Sequence, residues 1–284
     1  MIIPLNKTGH LDAVGWGVVS RCQRKNYNII YDFYVFWYDC YMGLDFKNKK
    51  IIFYPKSEKV KQVIPCPQTI SVPKWFKEIP IYQKTEEYPF NDKLVVENAQ
   101  VNYSSKSCIP FLDSLTTGYS FNLWCDIQIK TINGVPRISW ANMDEDLSPV
   151  NGRPEPDGHP VPNGFYPLIF SWYSNWGIKT PKGYSCILTH PFNRTDLPFL
   201  TTTGIMDTDG WGLWGNQPFH LQKDFEGIIE AGTPIIHVYP FKRDNWVSEI
   251  DDSLTEWANY EDIRRSSKFR GYYKNKYWSK KSFK

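Results

Sequence analysis

The sequence predicts a mainly β protein. Short runs in which apolar and polar residues alternate, the pattern of a strand with one buried face, recur along the chain. Gly and Pro residues, 18 and 21 of the 284, separate these runs. Only one segment, which begins at Ser253, combines a helix start signal with helical spacing of apolar residues. Many strands and one convincing helix predict an architecture of β-sheets.

The composition limits the class of protein. With 33 Lys and Arg against 30 Asp and Glu, and with 41% hydrophobic residues, the chain has the apolar content of a folded protein. No apolar run approaches the ~20 residues of a membrane-spanning helix. The first residues lack the features of a secretory signal. We therefore expect a protein that has no membrane association and stays in the compartment where it is made.

Six cysteines are spread along the chain, at positions 22, 40, 66, 108, 125 and 186. None forms a Cys-x-x-Cys pair, and Cys186 with His190 has no second pair to complete a tetrahedral zinc site. We expect free thiols in a reducing compartment and no structural metal.

Residues 1–100 are predicted to form an N-terminal β extension and a Pro-rich connection. Strand-like runs lie at 29–38, 50–54 and 60–64. Five prolines between residues 65 and 92 remove backbone donors, which argues against a long helix or a central strand there. One short helical turn fits this connection, at residues 74–77.

Residues 101–248 are predicted to form the central β domain. Every odd position in 121–129 is apolar, which predicts a strand with one buried face. The Pro- and Gly-rich stretch 143–164 predicts a long loop or lid. Further strands are predicted next to Gly or Pro residues, at 166–170, 184–189 and 234–239.

Residues 249–284 are predicted to form a helix and a basic tail. Ser253 and Glu256 fit a capping box at the helix start. The tail, Arg264 to Lys284, has nine Lys or Arg and no acid, so the net charge of +3 becomes −6 without it. Its cations and interleaved aromatic rings are typical of nucleic-acid binding. Docking on an acidic protein surface, such as a neighbouring subunit, or a solvated tail explains the same composition and is preferred.

Four segments place polar side chains at Gly or Pro turns that enter or leave strands. They are Gly118–Leu123, Pro191–Arg194, Gly204–Asp209 and Gly232–His237. A rigid β scaffold presents binding groups at such turns. Their order resembles the motifs of dUTPases and dCTP deaminases, over about half the chain. The resemblance implies a β-clip fold in the C-terminal half, a nucleotide ligand and a homotrimer.

The whole sequence also resembles an uncharacterised protein family of tailed phages, marine and T4-like. The shared pieces are Cys108–Asp113, Thr203–Asp209 and the Gly-Thr-Pro-Ile and Pro-Phe-Lys-Arg motifs that begin at Gly232 and Pro240. This resemblance implies a location in the host cytoplasm of an infected bacterium or in the virion.

Several catalytic positions of the dUTPase and deaminase families are changed here. Ser120 replaces the Asp on the magnesium side, and Gly210 replaces the Tyr that stacks on uracil, with Trp211 next to it. His237 replaces a Gln, and the Gly-rich C-terminal arm is absent. No Glu follows Gly204 in the hairpin to serve as the deaminase acid and base. Catalysis of either family is therefore not expected, and Mg²⁺ would bind only with a nucleotide.

Six side chains remain candidates for ligand binding: His190, Arg194, Asp207, Asp209, Trp211 and His237. The guanidinium of Arg194 matches phosphate oxygens, although a salt bridge to Asp196 or Asp209 is an alternative. The two hairpin carboxylates bind a ligand or metal, or they accept hydrogen bonds from nearby backbone N–H groups. The two histidines act as acid and base, or they are structural. Trp211 stacks on a planar ligand or belongs to an interface.

An iron and 2-oxoglutarate oxygenase is a further alternative. His10 and Asp12 with His237 and Arg243 match the ligand pattern of such enzymes. His10 precedes every predicted strand, whereas that pattern needs a strand inside a barrel, so this alternative is the least favoured.

The sequence as a whole predicts an accessory protein on a dUTPase-like scaffold that binds a nucleotide or other phosphorylated ligand without dUTPase catalysis. The first alternative is a structural or assembly component of a virion. The second is an enzyme of altered mechanism, such as a nucleotide hydrolase, that uses Asp207 with His190 or His237. No complete set of nucleophile, base and stabilising donors can be assigned, which argues against the enzyme.

Overall fold

The computed structural model describes residues 49–84, 101–141, 147–153, 158–211, 215–267 and 271–284. The chain divides into two units, residues 1–49 and 50–284, and all described residues except 49 belong to the second. The strand predicted at 29–38 and the domain boundary predicted at residue 100 lie outside the described residues. The division into three domains stays a prediction.

Short strands dominate the described part of the chain. They are β1 (Ile52–Pro55), β2 (Gln68–Thr69), β3 (Tyr82–Lys84), β4 (Val101–Tyr103), β5 (Tyr119–Asn122), β6 (Ile127–Ile132), β7 (Val135–Trp140), β8 (Val150–Gly152), β9 (Phe170–Tyr173), β10 (Trp176–Lys179), β11 (Tyr184–Thr189), β12 (Phe199–Thr201), β13 (Gly204–Met206), β14 (Asn216–Leu221), β15 (Gly227–Ile229) and β16 (Pro234–Lys242). The helices are α1 (Glu58–Val63), α2 (Lys74–Glu78), α3 (Ile109–Ser114), α4 (Leu254–Ser267) and α5 (Tyr272–Lys276), with a 3₁₀ turn at Ser105–Ser107.

The strands form several antiparallel sheets, which confirms the mainly β prediction. A five-stranded sheet has the order β13-β11-β16-β5-β2, and a four-stranded sheet has the order β12-β14-β9-β8. A three-stranded sheet, β15-β6-β7, and the pairs β1-β10 and β3-β4 complete the arrangement. The strand β16 lies at the centre of the largest sheet, between β11 and β5.

The core contains stacked aromatic rings. Trp172 on β9 is fully buried, and its ring stacks on Phe219 of β14 with centroids 3.9 Å apart. The Trp172 indole N–H donates to the Thr201 hydroxyl at 3.0 Å, and that hydroxyl donates to the Ile235 carbonyl at 2.7 Å. These bonds connect the four-stranded sheet to the first residues of β16, so the polar groups among the buried rings are satisfied.

Several predicted elements match the structure. The strands predicted at 184–189 and 234–239 are β11 and β16, although β16 continues to Lys242. The predicted helical turn in the Pro-rich connection is α2. The helix predicted from Ser253 is α4, whose first residue is Leu254.

The strand predicted at 60–64 is wrong, because these residues belong to the helix α1 and its end. The Ser57 side chain accepts a hydrogen bond from the Val60 backbone N–H at 3.2 Å and caps the helix. Val60 and Ile64 are four residues apart, lie on one helix face and are both buried. The helical spacing of this buried pair outweighs the strand preference of the Val and Ile side chains.

The single strand predicted at 121–129 is wrong, because the chain leaves the five-stranded sheet after β5 and enters the three-stranded sheet at β6. Leu123 lies between them, and its N–H donates to the Thr233 carbonyl at 2.8 Å while its carbonyl accepts from Gly232 at 2.6 Å. The buried face is as predicted at Phe121, Leu123 and Ile127.

The strand predicted at 166–170 starts only at Phe170. Pro167 has no N–H to donate to a ladder, and residues 166–169 stay irregular. The loop predicted at 143–164 contains the strand β8, which pairs with β9. The remainder of that prediction lies partly outside the described residues.

The basic tail lies on the body of its own chain. The Trp278 indole donates to both oxygens of Asp113 on α3, at 2.9 and 3.1 Å, and Lys281 lies 2.6 Å from the same carboxylate. Phe283 meets the ring of Tyr119 edge-on, with centroids 5.7 Å apart. Residues 278–284 thus dock on an acidic side chain of their own molecule, and docking of the tail on a partner stays a prediction.

The described cysteines, Cys66, Cys108, Cys125 and Cys186, are free thiols. Burial raises the pKa of Cys125 to about 11, helped by the nearby Asp126 charge. Cys22 and Cys40 lie outside the described residues. No helix within the described ranges is long and apolar enough to span a membrane.

Candidate functional site

A cleft of about 280 Å³ lies at one end of the five-stranded sheet. Four pieces of chain form its wall: the segment 68–74, strand β5, the turn 191–194 and the turn before β16. Its polar lining residues are Gln68, Thr69, Ser71, Lys74, Ser120, Asn122, Arg194 and His237. None of the described residues that line the cleft is an Asp or Glu.

The register of the sheet explains why three of these residues converge. Gln68 on β2 lies opposite Ser120 on β5, and Ser120 lies opposite His237 on β16. Residues that are directly opposite each other in antiparallel strands project to the same face of the sheet. Gln68, Ser120 and His237 therefore form one row across three strands, and this row is a wall of the cleft.

His237 holds the neighbouring turn in place. Its ring is buried, and Nδ1 accepts a hydrogen bond from the Phe192 backbone N–H at 3.2 Å. Because Nδ1 is the acceptor, the proton of the neutral ring lies on Nε2. Burial, together with the smaller effects of the nearby His190 and Arg194 charges, lowers the pKa of His237 to about 4. His237 is therefore neutral at physiological pH.

His190 holds the other side of the same turn. Its Nδ1 accepts from the Thr201 N–H at 3.3 Å, and its Nε2 donates to the Arg194 carbonyl at 3.0 Å. Burial lowers the pKa of this ring below its usual value, against the effect of its bond to the Arg194 carbonyl. Both nitrogens are used, so His190 is a structural histidine in this geometry.

Arg194 forms the salt bridge to Asp196 that was one of its predicted alternatives. Nε and Nη2 each bond a different carboxylate oxygen at 2.8 Å. Burial alone would raise the pKa of Asp196, but the hydrogen bonds and charge of Arg194 lower it below the usual value. Nη1 has no hydrogen-bond partner among the described residues, and the side chain lines the cleft.

Asp207 and Asp209 belong to a second cluster with Arg243. The Asp209 carboxylate accepts from both Arg243 Nη atoms and from the Gly183 N–H at 2.8 Å. The Arg243 hydrogen bonds lower the pKa of Asp209 to about 2. Asp207 accepts from the Ser185 hydroxyl at 2.6 Å and lies 3.1 Å from Arg243. These carboxylates bond partners distant in sequence, including an arginine, rather than only backbone groups of their own hairpin.

The two clusters lie at opposite ends of the β11-β16 pair. His237 is opposite Thr189 at one end, and Lys242, next to Arg243, is opposite Tyr184 at the other. Lys242 is five positions after His237 in an extended strand, so the two residues are about 17 Å apart. The structure thus brings His190, Arg194 and His237 together and places the two aspartates elsewhere.

Trp211 lies near the second cluster. Its backbone N–H donates to the Asp207 carbonyl at 2.8 Å, and 57% of the residue is exposed. It does not line the cleft. Trp214, three residues further along the chain, lies outside the described residues.

Several cleft residues were not among the predicted site residues: Gln68, Thr69, Ser71, Lys74 and Asn122. The segment 68–74 was interpreted as part of a connection, because its two-residue strand has no periodicity to detect. Ser120 was noted only as the replacement of a catalytic Asp. The pairing of β2 with β5 is long-range information that local patterns do not contain.

The oxygenase pattern gains no support from the described residues. His10 and Asp12 lie outside them, while the His237 Nδ1 and the Arg243 guanidinium are engaged as described. Within the described part of the chain, no group of three or more His, Cys, Asp or Glu side chains could hold a metal ion.

Comparison of the chain with protein-family models, with curated proteins and with solved structures found no match. Functional inference therefore depends on the geometry of the cleft.

Proposed function

We propose that the cleft binds a nucleotide or another small phosphorylated ligand, on a dUTPase-like β-clip scaffold without dUTPase catalysis. The observation that supports this is the convergence of three sequence segments on one cleft. Gly118–Leu123, Pro191–Arg194 and Gly232–His237 all contribute lining residues. These segments were selected from the sequence for their likeness to nucleotide-site motifs, and they lie far apart along the chain.

The polar groups of the wall suit an anion. Lys74 and Arg194 supply positive charge, and Asn122, whose Oδ1 accepts from the Ser120 hydroxyl at 2.7 Å, supplies amide N–H donors. The carboxylate partners of both cations, Glu78 and Asp196, are not cleft-lining residues. The Arg194 Nη1 atom, which the Asp196 fork leaves unused, is the donor best suited to a phosphate oxygen.

The size of the cleft also suits a small ligand. Its 280 Å³ is close to the lower end of the about 300–1,000 Å³ of ligand pockets. Such a volume fits a nucleoside phosphate or a smaller phosphorylated molecule better than a macromolecule.

dUTPase chemistry is not expected, because the described residues of the wall include no carboxylate to hold magnesium or to activate water. Ser120 stands at the position of the family's magnesium-side Asp. His237, with a pKa of about 4, is a weak base at neutral pH. Recognition without turnover is therefore the function that these residues support best.

The test is a thermal-shift and calorimetric titration with nucleoside mono-, di- and triphosphates and with pyrophosphate, with and without Mg²⁺. A ligand that binds only the folded state raises Tm in proportion to RT ln(1 + [L]/Kd). We expect at least one of these compounds to do so. Loss of one charged contact to phosphate should weaken Kd about tenfold or more.

Lys74→Gln is the diagnostic variant. Its side chain is 89% exposed and lies 3.8 Å from Glu78, a pair worth little to stability, so the unliganded protein should melt unchanged. Lys77→Gln on the same helix is the control, because Lys77 does not line the cleft. An absence of any shift at millimolar ligand would exclude the proposal. If ligand affinity is unchanged in both Lys74→Gln and Arg194→Gln, the ligand binds outside the cleft and the proposed site is wrong.

A further inference from the structure

The chain that follows β16 exposes large apolar side chains. We name residues 244–257 the acidic arm. Trp246 is 89% exposed, Val247 94% and Ile250 93%, and Leu254 and Trp257 at the start of α4 are more than half exposed. Single exposed apolar residues are ordinary, but five large apolar side chains within twelve positions are a concentration that monomers rarely leave open to solvent.

The acidic arm is also strongly charged. It contains five acidic residues and no Lys or Arg: Asp244, Glu249, Asp251, Asp252 and Glu256. Asp244 pairs with Lys242, and Asp251 accepts from the Ser253 N–H at 2.9 Å. The carboxylates of Glu249, Asp252 and Glu256 have no partner among the described residues. The arm therefore presents apolar side chains together with uncompensated negative charge.

The basic tail, residues 264–284, has the complementary chemistry. Within one molecule its paired cations bond carboxylates outside the acidic arm, since Lys281 bonds Asp113 and Lys276 bonds Glu261 at 2.7 Å. Lys274 and Lys280 are exposed and have no carboxylate partner in the described part of the chain. The tail also exposes the rings of Tyr273 and Tyr277, which are 45% and 44% accessible.

We propose that the acidic arm binds the basic tail of a second copy of this chain. Docking of the tail on Asp113 and Tyr119 of its own body leaves the arm uncovered within the molecule. In a reciprocal pairing of two copies, the unpaired acids of each arm would form salt bridges with the unpaired lysines of the other copy's tail. It would also bury the exposed aromatic and aliphatic side chains on both sides. Two exposed tryptophans at about 150–250 Å² each, with the aliphatic side chains, approach the ~800 Å² per partner of a stable interface.

The mass of the full-length chain in solution tests this proposal. Sedimentation equilibrium at micromolar concentrations should show a self-associating species whose affinity falls with added salt. Trp246→Ser with Ile250→Ser should weaken association by about tenfold or more without changing Tm. The control is Ile205→Ser with Trp211→Ser, the same two residue types, 69% and 57% exposed, outside the arm. This pair should leave association unchanged.

Charge reversal makes the test specific for the arm and the tail. Glu249→Lys with Asp252→Lys, and separately Lys274→Glu with Lys280→Glu, should each abolish self-association by setting like charges against each other. A mixture of the two charge-reversed proteins should associate again, because each arm then meets an opposite tail. A strictly monomeric wild type, or association that neither reversal affects, would overturn the proposal. So would two reversed proteins that fail to associate when mixed.

Discussion

His237 makes the stability of the protein depend on pH in a defined range. The ring is buried, its pKa of about 4 lies below the 6.5 of an exposed histidine, and it accepts the Phe192 N–H through Nδ1. Between these two values the unfolded chain binds a proton that the folded chain does not. The free energy of unfolding must therefore be highest above pH 6.5 and must fall as the pH is lowered toward 4.

The magnitude follows from the pKa difference. A difference of about 2.5 units at about 1.36 kcal/mol per unit gives a total loss of about 3 kcal/mol. Most of it, about 2 kcal/mol, falls between pH 7.5 and pH 5. The described carboxylates with lowered pKa values, Asp196, Asp209, Asp251 and Glu261, contribute little in this interval, because they are mostly ionised in both states above pH 5. The lowered pKa of His190 adds a loss of the same sign.

The assay is urea unfolding of wild type and His237→Asn at pH 7.5 and pH 5. The Asn Oδ1 can accept the Phe192 N–H but does not titrate, so the variant should lose about 2 kcal/mol less than wild type over this interval. Phe192→Leu, which keeps the backbone N–H and removes only the ring beside His237, should retain the full pH dependence. Equal losses in wild type and His237→Asn would refute the assignment of the pH dependence to this ring.

Two further predictions concern the scaffold. Gly118 has φ of +98°, and a Cβ there would lie 2.4 Å from the Val238 carbonyl oxygen, so Gly118→Ala should cost about 3 kcal/mol or more. Gly134→Ala, with φ of +75° and no neighbour within 4 Å, should cost only about 1 kcal/mol in the same thermal unfolding experiment, and equal losses would contradict the steric argument. Asp113→Ala should release residues 278–284, because it removes the acceptor of Trp278 and Lys281. Trypsin should then cleave the tail faster than in wild type, and an unchanged cleavage rate would mean that the tail is held by other contacts.

Local patterns predict the elements that depend on local physics. The spacing of Leu254 and Trp257 after Ser253 predicts α4, and turn residues on both sides of an apolar run predict β11 and β16. The strand predicted at residues 60–64 is wrong for a local reason as well. Val and Ile side chains favour strands, but the Ser57 cap and the four-residue spacing of the buried side chains favour a helix.

The site was only partly predictable for a different reason. A histidine, an arginine and a polar turn can be selected from the sequence as binding groups, and three such segments do line one cleft. The row formed by Gln68, Ser120 and His237 depends on which strands pair and in what register. The ion pair of Asp209 with Arg243 likewise joins residues 34 positions apart, which only the fold brings together. No local spacing contains either fact.

The chemistry at the two ends of the β11-β16 pair explains why we assign the proposed anionic ligand to one end and not to the other. At one end the carboxylate of Asp209 is matched by the Arg243 fork, so the charges there already satisfy each other. At the other end His190 and His237 hold the turn as neutral rings, which need no buried counter-ion. A charged group in their place would have required an acid in the cleft wall. The described residues of that wall include no carboxylate, so the positive charge of Lys74 and the Arg194 Nη1 atom that the Asp196 fork leaves unused are available to the proposed ligand.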